Sequence, residues 1–145
     1  MRRRTLAAQR NDVESCPMDD TTNDTANTTS DTREYERMRS GALYIADDAY
    51  LHELGARRRR LQQAINTSAW DAFDERERLF RELFATYGAG SHIEPPFRCD
   101  YGCNITIGRD FYANTDCIIL DVAPVTIGDN VFFGPRHPRH RRRRT

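Results

Sequence analysis

Side chains fit for an interior recur at every sixth residue between Ile93 and Val131, and no other feature narrows the possible folds as much. Ile93, Cys99, Ile105, Phe111, Cys117 and Ala123 make one register. Ile107, Ala113, Ile119, Val125 and Val131 make a second, two residues later, and all are apolar or small. A helix repeats near 3.6 residues and a half-buried strand at two, so neither singles out every sixth position. Three short strands per coil, each turning inward once in six residues, do so; this is the hexapeptide signature of a parallel β-helix. Ile107-Gly108 and Ile127-Gly128 place a flexible residue straight after an inward isoleucine, as a corner between strands requires. At about eighteen residues per coil, the segment 93–135 predicts little more than two coils.

Upstream the period changes to that of helices. Glu36-Arg37-Met38-Arg39 predicts a short helical turn that ends at Ser40-Gly41. Asp47 or Asp48 then caps a helix running to about Asn66, with Leu51, Leu54, Leu61 and Ile65 on one face. Arg57 to Arg60 are consecutive, so they circle this helix and read as solvated surface. A further helix starts near Asp71 or Asp74 and buries Phe73, Leu79, Phe80, Leu83, Phe84 and Tyr87. It stops at Gly88 or Gly90. Glu75, Glu77 and Glu82 with Arg76, Arg78 and Arg81 form its outer face. Two such helices need a platform for their apolar faces, and the coils supply one.

Composition sorts the remainder. Residues 1–33, with the polar run Asp19 to Thr32, contain almost nothing to bury and read as a disordered tail. Formal net charge is zero, yet all 22 basic residues are arginine, a bias that nucleotide composition explains more simply than phosphate binding does. Cys16, Cys99, Cys103 and Cys117 lack the spacing of a zinc tetrad, and Cys99 and Cys117 fall on the inward register as small apolar side chains. No apolar run approaches the ~20 residues of a membrane span. The basic start Met1 to Leu6 is not followed by the apolar core of a secretory signal, so a cytoplasmic, reducing location is expected. The ending Arg136 to Thr145 is an Arg/His-rich tail. Its arginines suit salt-sensitive binding of anions or nucleic acid, but no aromatic residues are interleaved for base stacking.

Specific runs add a resemblance. Met38-Arg39-Ser40-Gly41-Ala42-Leu43-Tyr44, Ile93-Glu94-Pro95-Pro96-Phe97-Arg98-Cys99-Asp100-Tyr101-Gly102, Asn104-Ile105-Thr106-Ile107-Gly108, Phe111-Tyr112-Ala113-Asn114 and Leu120-Asp121-Val122-Ala123-Pro124-Val125 carry it. From about Arg37 to Pro135 the chain resembles the maltose and galactoside O-acetyltransferases. The resemblance implies a mainly β fold, an incomplete left-handed parallel β-helix behind a helical cap. The layout is then a tail over 1–33, a cap over 34–90, coils over 91–135 and a second tail over 136–145. It also implies acetyl-CoA as co-substrate, a sugar acceptor of the maltose, glucose or galactoside type, and a homotrimer.

Carried over residue by residue, Asp100, Tyr112 and Asn114 fall where the family contacts the sugar. Asp121 lies beside another such position, and Asp47 is one residue from a cap position used for the acceptor. Gly55 stands where the family often has an arginine. The family's catalytic base is a histidine in a Thr-x-His-Pro segment, a place taken here by Arg144, which cannot act as a base. The His-Pro pair of this chain is His137-Pro138, which makes His137 the candidate base. The resemblance stops at Pro135, short of the coils that carry much of the acetyl-CoA groove, so a chain truncated after the first coils is expected. A non-catalytic remnant, or an anion or nucleic-acid binder working through the Arg-rich tail, is the alternative.

Overall fold

The structure of the chain, a computed structural model, describes residues 31–135 together with the backbone of Pro138–Arg139. The N-terminal tail up to residue 30, His137, and the side chains of the Arg/His run lie outside the described residues. Three helices come first. α1 (Arg33–Ser40) closes on Gly41, whose left-handed φ of 79° turns its N–H back to the Met38 carbonyl. α2 (Ala49–Thr67) begins at Asp48, whose carboxylate accepts the Leu51 N–H at 3.1 Å, so Asp48 is the cap. α3 (Phe73–Leu83) packs against α2.

Nine short strands follow: β1 (Thr86–Tyr87), β2 (His92–Ile93), β3 (Phe97–Cys99), β4 (Ile105–Ile107), β5 (Tyr112–Ala113), β6 (Cys117–Ile119), β7 (Val125–Ile127), β8 (Phe132–Phe133) and β9 (Pro138–Arg139). They form three parallel sheets in the orders β1-β4-β7, β2-β5-β8 and β3-β6-β9. Every coil therefore gives one strand to each sheet, which is a β-helix.

The coil differs in length from the expected eighteen. Thr86 pairs with Thr106, Phe97 with Cys117, Ile105 with Val125 and Ile118 with Pro138, a repeat of 20 residues. The first coil also begins at Thr86, inside the stretch expected to be cap, so three coils contribute strands instead of little more than two. The extra length has one source, the corner from the third sheet to the first, at 100–104 and again at 120–124. It holds two residues more than a hexad allows. Ile105, Phe111 and Cys117 are six apart and fully buried, but the next equivalent of Ile105 is Val125, not Ala123. Ala123 falls in the corner, half-buried. The second register, through Ile107, Ala113 and Ile119, arrives at Val125 in its place, so the two registers are two inward rows joined by a two-residue slip. Ile127 and Phe133 are buried on the same rows.

Cap and coils share one core. Leu61 and Ile65 of α2 and Leu79, Phe80 and Leu83 of α3 join Phe97, Ile105, Ile107, Phe111, Cys117 and Ile119 in it. Phe97 stands edge-on to Phe80 and Phe84, with ring centroids 5.6 and 5.5 Å away. A ring buried this fully stabilises the fold by about 2–3 kcal/mol.

Three expectations for α3 fail, the first at Arg76, which is buried and donates to the Ala69 and Trp70 carbonyls instead of standing on the outer face. Phe73 is half exposed, because it sits in the first turn of the helix over the Arg76 guanidinium and beside the His92 ring. The helix ends at Leu83, not at Gly88 or Gly90, because Phe84 is already extended (φ −92°, ψ 156°) on the way to β1. The glycines serve the coil corner. A Cβ on Gly88 would overlap the Gly108 carbonyl in the coil above and lie 2.5 Å from the Arg109 nitrogen. Among the described residues no helix is long and apolar enough to cross a membrane, and no group of His, Cys, Asp and Glu could hold a metal ion.

Candidate functional site

β3 is the edge strand of the third sheet, and α2 covers that edge with a row of polar side chains spaced four residues apart. Asn66 gives its Nδ2–H to the Phe97 carbonyl at 2.9 Å and accepts the Phe97 N–H at 2.8 Å. Gln62 Oε1 accepts the Cys99 N–H at 3.2 Å, and Arg58 Nε–H donates to the Asp100 carbonyl at 3.0 Å. The arginine run is thus not simple solvated surface. Arg57 reaches the Glu82 and Leu83 carbonyls at the end of α3, and Arg60 pairs with Glu82 at 3.6 Å. Arg59 alone of the four makes no hydrogen bond or ion pair among the described residues. Its Nη1 lies 3.6 Å from where a Cβ on Gly55 would stand.

Next to Arg58 the chain turns through Asp100 to Asn104, and Asp121 of the following coil shapes that corner. Its carboxylate is fully buried and accepts N–H bonds from Asp100 (2.9 Å), Tyr101 (2.9 Å) and Asn104 (3.3 Å). Asn104 donates back to the Asp121 carbonyl at 2.8 Å and accepts the Tyr35 hydroxyl at 2.8 Å, which links the corner to α1. Burial pushes the Asp121 carboxyl above its ordinary range, against the pull of the three N–H donors. The expectation that Asp121 meets a sugar is therefore corrected. With a fully buried carboxylate held by the backbone of the neighbouring coil, it positions Asp100 and Tyr101.

Helix and corner enclose an open cavity of about 370 Å³. Tyr44, His52, Gly55, Arg58 and Arg59 line it from the cap, and Asp100, Tyr101 and Val122 from the coils. The His52 ring nitrogen Nε2 lies 3.2 Å from Asp47 Oδ1 at the rim. Burial, with Tyr44 and Asp100 nearby, pushes the Tyr101 phenol up, so it stays a neutral hydroxyl at physiological pH. The cavity thus offers guanidinium donors, a carboxylate residue, a phenol and an imidazole, a set suited to a polar, many-hydroxyl ligand.

Of the expected site residues, Asp100 lines this cavity, while Tyr112 and Asn114 do not. Tyr112 belongs to the second sheet, stacked between His92 (6.0 Å) and the exposed Phe132 (4.7 Å). Asn114 occupies the turn after β5, where its Oδ1 accepts the Thr115 N–H at 2.7 Å. The free cysteines Cys99 and Cys117 are buried, and burial pushes both thiols up, Cys117 to about 11. They are packing residues. His52 escaped the sequence reading, and Gly55 and Arg59 were not joined to it, although the three sit at i, i+3 and i+7 of α2, a spacing that puts them on one face.

Comparison with known proteins supports the family likeness. Residues 37–88 match the model of the maltose acetyltransferase hexapeptide capping motif, the segment that forms α2, α3 and the first corner. The galactoside O-acetyltransferase of Escherichia coli K12 is 41% identical over 112 residues, 72% of this chain and 55% of that protein. The matched part of the chain is similar to the hexapeptide-repeat maltose and galactoside O-acetyltransferases. Within that family, the crystal structure of a maltose O-acetyltransferase from Clostridium difficile 630 superposes with a TM-score of 0.71 at 40% identity, covering 72% of this chain and 56% of that one. A hexapeptide-repeat acetyltransferase from Vibrio cholerae, solved in complex with acetyl-CoA, superposes with a TM-score of 0.66 at 39% identity over 72% of this chain and 56% of its own. This chain spans about half the length of the relatives it matches.

Proposed function

We propose that this protein is an acetyl-CoA-dependent O-acetyltransferase and that the cavity between α2 and the Asp100–Asn104 corner receives the sugar acceptor. The observation that carries the reading is the meeting of the family's Asp100-Tyr101 run with the cap helix around a polar cavity of about 370 Å³. Transfer of an acetyl group from a thioester to a hydroxyl needs a base for the hydroxyl proton, donors for the tetrahedral oxyanion, and groups that aim one hydroxyl at the carbonyl. Asp100 and Tyr101 supply the aiming, since a carboxylate and a phenol share hydrogen bonds with vicinal hydroxyls. Tyr112 and Asn114, on the second sheet, are held for the acceptor or coenzyme of the assembled protein. Acetyl-CoA is the co-substrate, left-handed coils and a homotrimer belong to the same reading, and the Tyr112–Phe132 stack is the exposed aromatic surface that suits a subunit contact.

Two imidazoles compete for the role of base. His137 is the residue of the His-Pro pair, while His52 lines the cavity with Asp47 beside it. The test is to incubate the full chain with acetyl-CoA and maltose, glucose or a galactoside and follow thiol release. Steady acceptor-dependent turnover is expected, and its absence with every acceptor overturns the activity. Loss of turnover in His137→Ala but not His52→Ala assigns the base to the C-terminal segment; the reverse assigns it to the cap. Light scattering after gel filtration tests the trimer.

A further inference from the structure

Two guanidiniums of the cavity keep N–H groups that no group among the described residues takes. Arg58 uses only its Nε–H on the Asp100 carbonyl, and Arg59 makes no hydrogen bond or ion pair among the described residues. Arg59 is nevertheless placed, with Nη1 over the bare backbone of Gly55, where any longer side chain would compete for its space. The other arginines of the run are engaged, Arg57 on the carbonyl end of α3 and Arg60 on Glu82. Asp47, on the rim, is occupied by His52. Two guanidiniums therefore line the same cavity as Asp100 and Tyr101, Arg58 beside the Asp100 carbonyl and Arg59 over Gly55.

We propose that the acceptor taken here is an acidic sugar, whose carboxylate meets Arg59 and Arg58 while its hydroxyls face Asp100 and Tyr101. The inference rests on the reading of this cavity as the acceptor site and adds the chemical class of the acceptor. A planar guanidinium fork suits a carboxylate and forms charge-assisted bonds, stronger than those it would make to hydroxyls. Asp100 disfavours a ligand that carries negative charge on all sides.

Binding of galacturonate and of galactose to the full-length chain, without acetyl-CoA, tests this by calorimetry or NMR titration. The sugar acid is expected to bind at least about tenfold more tightly, as one charge-assisted contact implies. The preference should shrink as salt rises from 20 mM to 500 mM, a range over which screening grows strongly (~). Arg59→Gln, on the exposed side of α2, should remove most of the preference, read as the ratio of the two affinities. Equal affinities for the two sugars, no binding of the sugar acid, or a preference that survives Arg58→Gln with Arg59→Gln overturns the proposal. Inorganic phosphate or coenzyme A bound with the same Arg59 dependence also overturns it, since the site would then be for a bare anion or for the coenzyme. Because binding is read without turnover, an inactive chain that keeps the preference refutes only the proposed activity. An active chain that acetylates galactose without any preference refutes only the acidic acceptor.

Discussion

Two corners of the coil turn the chain from one sheet to the next by opposite means. From the first sheet to the second, the corner is made of backbone stacked on backbone. Gly88 lies under Gly108, and a Cβ on Gly108 would in turn meet the Gly128 carbonyl carbon at 2.6 Å and the Asp129 nitrogen at 2.7 Å. Two residues on, Gly90, Asp110 and Asn130 repeat a left-handed φ of 74°, 54° and 57°. From the third sheet back to the first, nothing repeats. Asp121 gathers three N–H groups of the coil beside it, and Asn104 and Tyr35 continue the network into the cap. The lesson is that a repeated corner leaves no space to spare, whereas one held by a lone side chain can be drawn outward to wall a cavity.

The comparison breaks most visibly at Asp121. Asp121→Ala strands three N–H groups and is expected to cost about 4 kcal/mol, read as a lower urea midpoint with an unchanged slope. It should also weaken any ligand of the cavity, since Asp100 and Tyr101 lose their anchor. Gly88→Ala ranks next, at about 3 kcal/mol, because the new methyl meets backbone that cannot move aside. A loss under about 1 kcal/mol would mean that the coils are not stacked this closely.

Titration sharpens the contrast. Burial raises the folded-state pKa of Asp121 above its ordinary 3.8, so the native state holds that proton more tightly than the unfolded chain. Its contribution is complete below the unfolded value and is lost as pH rises through the folded one. Wild type should therefore gain on Asp121→Asn as pH falls from neutral towards 4, in urea midpoints measured across that range (~). A trend of the other sign would mean that the three donors outweigh burial. Asp129, which accepts the Arg109 N–H at 2.7 Å in the glycine corner, is held below its ordinary range, first by that bond. Its contribution is present above the unfolded value and lost as pH falls through the folded one, so Asp129→Asn is the control of opposite slope. The smallest effect is expected at Gly55→Ala. Its methyl meets only Arg59 Nη1 at ordinary contact distance, so the helix should gain about 0.5–1 kcal/mol, a rise of a few degrees in Tm.

What was legible in the sequence follows the same division. The Ile-Gly pairs announced the glycine corner and the hexad rows announced the interior, because each recurs and a recurrence can be counted. The 20-residue coil was hidden because its two extra residues fall where no pattern repeats, and the second register covered the slip by landing on Val125. Family likeness singled out Asp100, which lines the cavity. It could not tell that Asp121, next to a sugar position in sequence, points into the protein, because direction at a corner is set by the N–H groups within reach. Arg57 to Arg60 read as one charged run, whereas the fold sends Arg57 and Arg60 to Glu82 of α3, Arg58 to the Asp100 corner and Arg59 over Gly55.

The row of Asn66, Gln62 and Arg58 along β3 has a consequence for how the molecule comes apart and whom it meets. Those side chains occupy the main-chain groups through which a foreign strand would otherwise add to the sheet, so α2 acts as a guard rail at that rim. Lifting the guard would bare the strand and the shared interior together. Cap and coils should therefore melt as one unit, and any lesion that loosens α2 should show itself first as stickiness between molecules.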